Sequence, residues 1–166
     1  MRKNRTGLVL WIALIAFVAM IAIPVKCAAQ IDYQAKKELP ESVKVISLFV
    51  GSIVLDAVGD ALCDDGHKVW GHTFNAASVG LLVTAPLYLE ISFKELGWYL
   101  ASYVSLRIAI FDPVYNLSRD LPLNYIGTTS TWDKALQKIN PPGNTLLWGR
   151  AAFLTVGISI PIKHIK

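Results

Sequence analysis

Three aspartates, Asp56, Asp60 and Asp64, recur at four-residue spacing in a stretch that is otherwise largely apolar, and an Asp-Gly-His sequence ending at His67 follows them. Side chains at positions i, i+4 and i+8 lie on one face of a helix. An ionised carboxylate in a hydrocarbon environment costs several kcal/mol or more unless it is paired. We therefore expect this acidic face to meet a metal ion, a cationic side chain or a proton.

A divalent metal ion is one partner that the acidic face could bind. Carboxylate oxygen and imidazole nitrogen are ligands that suit Zn, Mn or Fe. A metal held in this way could activate a water molecule for hydrolysis of a phosphate-containing or lipid substrate, with Arg107 binding the phosphate. The sequence has no short metal-binding motif such as HExxH. It therefore does not indicate one reaction class, and no substrate can be named from it. The candidate ligands are Asp56, Asp60, Asp64, His67 and His72.

Arginine side chains are a second kind of partner. Arg107 and Arg150 lie inside apolar segments, as Asp56 and Asp60 do, and together these four residues carry no net charge. Charged residues inside membrane bundles commonly pair with one another in the interior. The sequence therefore predicts a buried polar cluster of Asp56, Asp60, Arg107 and Arg150. Arg150 has the alternative of extending to the lipid headgroups, because it lies near the start of its segment.

Proton or ion movement is a third interpretation of the acidic face. Acids within a membrane often mark ion pathways, and Asp56 and Asp60 could alternate in protonation inside a hydrated cavity. A chain with so few short helices could form such a path only as an oligomer.

A further pair of polar residues, Asp112 and Asn116, follows the segment that contains Arg107. Asp112 precedes Pro113, and a proline disfavours helical backbone at the residue before it. We therefore expect this helix to end at Phe111. Asp112 and Asn116 would then form hydrogen bonds with the unpaired backbone groups at the end of this helix, at a membrane boundary.

The composition favours a membrane protein. The chain has 166 residues, of which 54% are hydrophobic, and its mean hydropathy is +0.45, above the range of most soluble proteins. The formal net charge is +4, but the basic residues are scattered in ones and twos, which argues against nucleic-acid binding. Such residues commonly flank membrane helices. The two cysteines cannot form a disulfide scaffold.

The chain contains five apolar segments that could span a membrane. The first is longer than the core of a typical signal sequence and is followed by a mediocre cleavage site, so we favour a retained helix. The polar stretch before the last segment predicts a short amphipathic helix over 132–139, capped by Ser130 or Thr131. The apolar segments are 8–25, 43–63, 72–92, 96–111 and 145–162.

Together these patterns predict an all-α, small polytopic integral membrane bundle with four or five transmembrane segments. It forms a single membrane domain, 1–166, in which 1–27 is a transmembrane helix or signal anchor and 43–111 is the bundle core. A polar loop, 112–143, precedes the last transmembrane helix, 144–166. We expect a multi-pass location in a bacterial inner membrane or its equivalent.

The predicted function is structural or accessory, with lipid and either a second copy or another membrane protein as partners. The alternatives are a membrane-embedded metal-dependent hydrolase, which would need a divalent metal as cofactor, and an ion- or proton-conducting oligomer.

Overall fold

The computed structural model describes residues 39–128, 131–139 and 144–165, which contain five α-helices and no strand. The first predicted segment, 8–25, lies outside these residues. Helix α1 packs most extensively on α2, and α3 packs on α5, while α1 also contacts α3 and, less extensively, α5. The helices are α1 (Glu41–Asp64), α2 (Lys68–Tyr88), α3 (Phe93–Ser118), α4 (Thr131–Ile139) and α5 (Thr145–His164).

The prediction of an all-helical fold is confirmed for the described residues. Two of the helices, α1 and α5, are long and apolar enough to cross a membrane. The four long helices contain 20 to 26 residues. At about 1.5 Å per residue each is at least about 30 Å long.

An apolar core fills the end of the bundle where α1 and α3 begin and α2 finishes. Phe49 of α1 is buried in this core, with its ring centroid 4.5 Å from that of Tyr99 and the two planes at 63°. The buried hydroxyl of Tyr99 donates a hydrogen bond of 3.1 Å to the carbonyl oxygen of Leu82. Because a backbone carbonyl accepts this hydrogen bond, the Tyr99 ring adds packing area in the core without leaving an unpaired polar group.

Small residues let the helices approach closely. A Cβ built on Gly71 of α2 would lie 2.6 Å from the carbonyl oxygen of Gly59 in α1. A Cβ built on Gly157 of α5 would lie 2.6 Å from Cγ of Leu106 in α3. The buried hydroxyl of Ser102 donates to the Gly157 carbonyl over 2.7 Å. A larger residue at position 71 would therefore collide with the backbone of α1, and one at position 157 would collide with Leu106.

Helix α3 extends further than the sequence predicts. It begins with a capping box, in which the Ser92 hydroxyl accepts from the Glu95 amide and the Glu95 carboxylate accepts from the Ser92 amide. It then continues through Pro113 to Ser118, so the predicted helix end at Phe111 is wrong. Proline removes one backbone donor and disfavours helix before it. The final turns compensate through side-chain contacts with α1 and the following loop, described below.

Candidate functional site

A cavity of about 840 Å³ lies at the opposite end of the bundle from the apolar core, where α1 and α3 finish. We call it the polar cavity. Charged and hydroxyl side chains line it, and the chain after α3 and the start of α4 close one side. The polar residues that line it on and directly after α1 and α3 include Asp60, Asp64, Arg107, Asp112, Tyr115, Asn116 and Arg119.

The first ion pair at this site joins α1 to α3. Arg107 donates from Nη1 to Oδ2 of Asp56, whose side chain is 19% exposed. The guanidinium carbon of Arg107 also lies 4.3 Å from the centre of the Phe111 ring, a distance at which the ring face attracts a cation. The pair therefore fixes the guanidinium between a carboxylate and an aromatic ring.

Asp60, one turn further along α1, has a different partner. It accepts a hydrogen bond of 2.8 Å from Nδ2 of Asn75 in α2, and within the described ranges it forms no ion pair. The other polar atom of that amide, Oδ1 of Asn75, is buried without a hydrogen-bond partner among these residues. The amide lies close to Gly59. The middle acid of the stripe thus joins α1 to α2 through a neutral amide.

Asp64 is the third acid and lies at the rim. It accepts hydrogen bonds from the hydroxyl of Tyr115 and, over 3.0 Å, from Nη1 of Arg119. The same Nη1 donates to the Tyr115 hydroxyl over 2.7 Å, and Nε of Arg119 lies 3.5 Å from Oδ1 of Asp65. Tyr115 lies beyond the apolar part of α3, and partial burial, followed by the bond to Asp64, raises the pKa of its hydroxyl. The hydroxyl therefore remains protonated and acts as a donor.

Arg150 of α5 pairs with Asp112 of α3 instead of with the acids of α1. Its side chain is only 6% exposed, and Nη2 donates to Oδ2 of Asp112 over 2.7 Å. Nη1 donates to the carbonyl oxygen of Leu123 over 2.7 Å. The buried Asn116 side chain donates to the carbonyl oxygens of Leu123, over 3.4 Å, and Tyr125, over 3.0 Å. These contacts attach the chain after α3 to the helices.

The residues of the predicted polar cluster therefore divide into separate contacts. Asp56 and Arg107 meet directly, Asp60 binds Asn75, and Arg150 binds Asp112. The boundary residue Asp112 is thus one of the ion-pair partners.

The five candidate metal ligands do not come together as a set. In residues 39–128, 131–139 and 144–165, no three His, Cys, Asp or Glu side chains are placed to hold one metal ion. Asp56 and Asp64 instead contact arginines. His67 precedes α2, and Nδ1 of His72 lies 4.0 Å from the sulfur of Cys63. The helical spacing of the acids gives each of them a different neighbour along the bundle axis.

Three residues at the site were missed by the sequence analysis: Asn75, Tyr115 and Arg119. Asn75 is a lone amide within an apolar segment, which is a signal for a polar contact between helices. Tyr115 and Arg119 are four residues apart and share a helix face. The prediction that the helix ends at Phe111 hid this relation, because the spacing has meaning only if the helix continues past Pro113.

Replacing Tyr115 with Phe should lower the free energy of unfolding by about 1 kcal/mol, because the variant loses hydrogen bonds to Asp64 and Arg119 but keeps the ring. Denaturant titration in detergent, followed by circular dichroism, measures this loss. Tyr88→Phe is the control, since Tyr88 is 79% exposed. Equal stability of the two variants would mean that the Tyr115 hydroxyl contributes nothing to the fold.

Comparison with known proteins identifies no relative. No protein-family model matches the chain, and neither the curated proteins nor the solved structures give a match.

Proposed function

We propose that this chain is an integral membrane protein with a structural or accessory role, built as a bundle of membrane-crossing helices held together by internal polar contacts. In this arrangement the apolar parts of α1, α2, α3 (96–111) and α5 cross the bilayer. The polar cavity then lies at one membrane boundary. The proposed partners are lipid and a second copy or another membrane protein.

The observation that carries this proposal is the distribution of polar and apolar side chains. Polar residues are buried between the helices: Ser52, Ser78, Ser102, Ser105, Asn116 and Arg150. Large apolar side chains are exposed on the outside, among them Val83 of α2 at 62%, Trp148 of α5 at 75% and Ile162 of α5 at 62%. Water would penalise so much exposed apolar surface, whereas lipid solvates it.

The ion pairs support a structural role. Asp56–Arg107 joins α1 to α3, Asp64–Arg119 joins the end of α1 to the chain after α3, and Asp112–Arg150 joins α3 to α5. Each pair connects different parts of the bundle. For Asp56 and Arg150, which are the more buried members, pairing also lowers the cost of keeping charge away from water. Such contacts align helices that have no hydrophobic driving force to associate inside a bilayer.

Membrane insertion can be tested with spin labels in vesicles. In a Cys27→Ser/Cys63→Ser background, a nitroxide at Val83→Cys should collide more with dissolved oxygen, which concentrates in lipid, than with a water-soluble nickel chelate. A label on Asp120→Cys, in the turn after α3, should show the opposite preference. A label at position 83 that favours the nickel chelate would exclude membrane insertion of this helix.

The structural role can be tested against the hydrolase and conduction alternatives. Protein purified in mild detergent without chelator should contain well below one transition metal per chain by elemental mass spectrometry. Vesicles containing the protein should lose an imposed pH gradient no faster than empty vesicles do. A metal near one per chain that is lost in Asp60→Asn would favour the hydrolase, and proton flux lost in that variant would favour conduction.

A further inference from the structure

Helix α4 carries an apolar face that covers the protein only in part. Counting about 100° per residue around a helix, Ala135, Leu136 and Ile139 form one stripe. Ile139 is 73% exposed, Ala135 is also exposed, and Leu136 is partly buried. An amphipathic helix of a soluble protein places its apolar stripe on the core. Within the part of the chain that the structure describes, Ala135 and Ile139 of this stripe lack such cover.

The polar side of α4 contacts the protein instead. Nε2 of Gln137 donates to the carbonyl oxygen of Gly127 over 2.6 Å. A Cβ built on Gly127 would lie 2.5 Å from Oδ2 of Asp133, so this carboxylate also lies against the loop. Asp133 and Gln137 differ by about 40° around the helix. The polar contacts therefore fix the rotation of α4 and direct Ile139 away from the bundle.

The two lysines of α4 lie on a third side. Lys134 and Lys138 are both exposed. Around the helix they lie about 60–140° from the two contact residues, Asp133 and Gln137, and about 100–140° from Ile139. A helix with lysines beside its apolar stripe is typical of segments that lie in the interface of an anionic membrane.

The position of α4 in the fold places it at a membrane boundary if the proposed function holds. It lies between the end of α3 and the start of α5, and Arg150 near the start of α5 pairs with Asp112 near the end of α3. The exposed Trp148, in the first turn of α5, would lie at the same level, where indole rings prefer to reside.

We propose that α4 lies in the plane of the membrane interface, with Ile139 and Ala135 at the acyl-chain boundary and Lys134 and Lys138 against anionic phospholipid headgroups. This inference rests on the proposed membrane insertion. The apolar stripe supplies the burial, and the lysines supply charge that is complementary to the lipid. The polar contacts with Gly127 hold the helix against the mouth of the polar cavity.

The test uses nitroxide labels on the full chain in vesicles, in the Cys27→Ser/Cys63→Ser background. A label at Ile139→Cys should collide more with oxygen than with the nickel chelate. A label at Lys134→Cys, on the neighbouring polar side, should favour the chelate. The label at Val83→Cys reports membrane insertion separately. If position 83 is in lipid but position 139 is in water, the interfacial helix is wrong and the proposed function is unaffected.

Lipid composition distinguishes the remaining outcomes. Adding phosphatidylglycerol to phosphatidylcholine vesicles should move the label at position 139 deeper, and Lys134→Gln/Lys138→Gln should abolish this shift. No shift would overturn the role of anionic headgroups. Spin–spin broadening at position 139 that disappears on dilution with unlabelled protein would overturn the proposal in favour of a second copy on this face. A label at position 83 in water would overturn both proposals.

Discussion

Gly71→Ala should lower the free energy of unfolding by about 2–3 kcal/mol, the upper part of the range for an overpacked interface. The new Cβ would lie 2.6 Å from the carbonyl oxygen of Gly59 and 2.9 Å from the amide nitrogen of Cys63. Both are backbone atoms of α1, so no rotamer change can relieve the contact. The helices would have to separate, and their side chains would then lose packing along the interface.

Gly80→Ala in the same helix is the matched control, because a Cβ at this position would have no neighbour within 4 Å. Alanine is the better helix former by about 0.8–1 kcal/mol. We therefore expect Gly80→Ala to leave stability unchanged or raise it. Unfolding by sodium dodecyl sulfate in mixed micelles, followed by circular dichroism, measures both variants. A Gly71→Ala variant as stable as Gly80→Ala would contradict the close approach of α1 and α2.

Asp112→Asn should lower the free energy of unfolding by about 3 kcal/mol. Arg150 is 6% exposed and its guanidinium bonds Asp112 at 2.7 Å, so the variant leaves a buried cation that faces the neutral Asn amide and the Leu123 carbonyl but has lost its carboxylate partner. Breaking a buried pair on one side commonly costs about 3–5 kcal/mol. The lower end of this range applies because the asparagine oxygen can still accept a neutral hydrogen bond from Arg150 and because Asp112 is 30% exposed.

Asp65→Asn is the control for this charge removal. Asp65 lies 3.5 Å from Arg119, and both side chains are about one-third exposed, so its loss should cost less than about 1 kcal/mol. Adding Arg150→Met to Asp112→Asn removes the unpaired cation and should recover part of the lost stability. If the changes in the free energy of unfolding for Asp112→Asn and Arg150→Met are additive in the double variant, the two residues are energetically independent.

Much of this architecture follows from the sequence alone. Apolar runs of helical length predict the long helices. In an apolar environment the backbone N–H and C=O groups must be hydrogen-bonded within the protein, and a helix achieves this within one segment. The period of the acids predicts a single charged face on α1, and the short amphipathic helix is readable from its 3.6-residue pattern. These features depend on neighbours in the chain, so local rules suffice to find them.

Which residues meet was decided only by tertiary structure. Arg107 and Arg150 are equivalent as sequence signals, yet one meets Asp56 of α1 and the other meets Asp112 of its neighbouring helix α3. Helix α3 passes Pro113, because contacts of Tyr115 and Asn116 with distant parts of the chain offset a local preference. Pairing depends on the height and rotation of each helix relative to its neighbours, which the period of one helix does not encode.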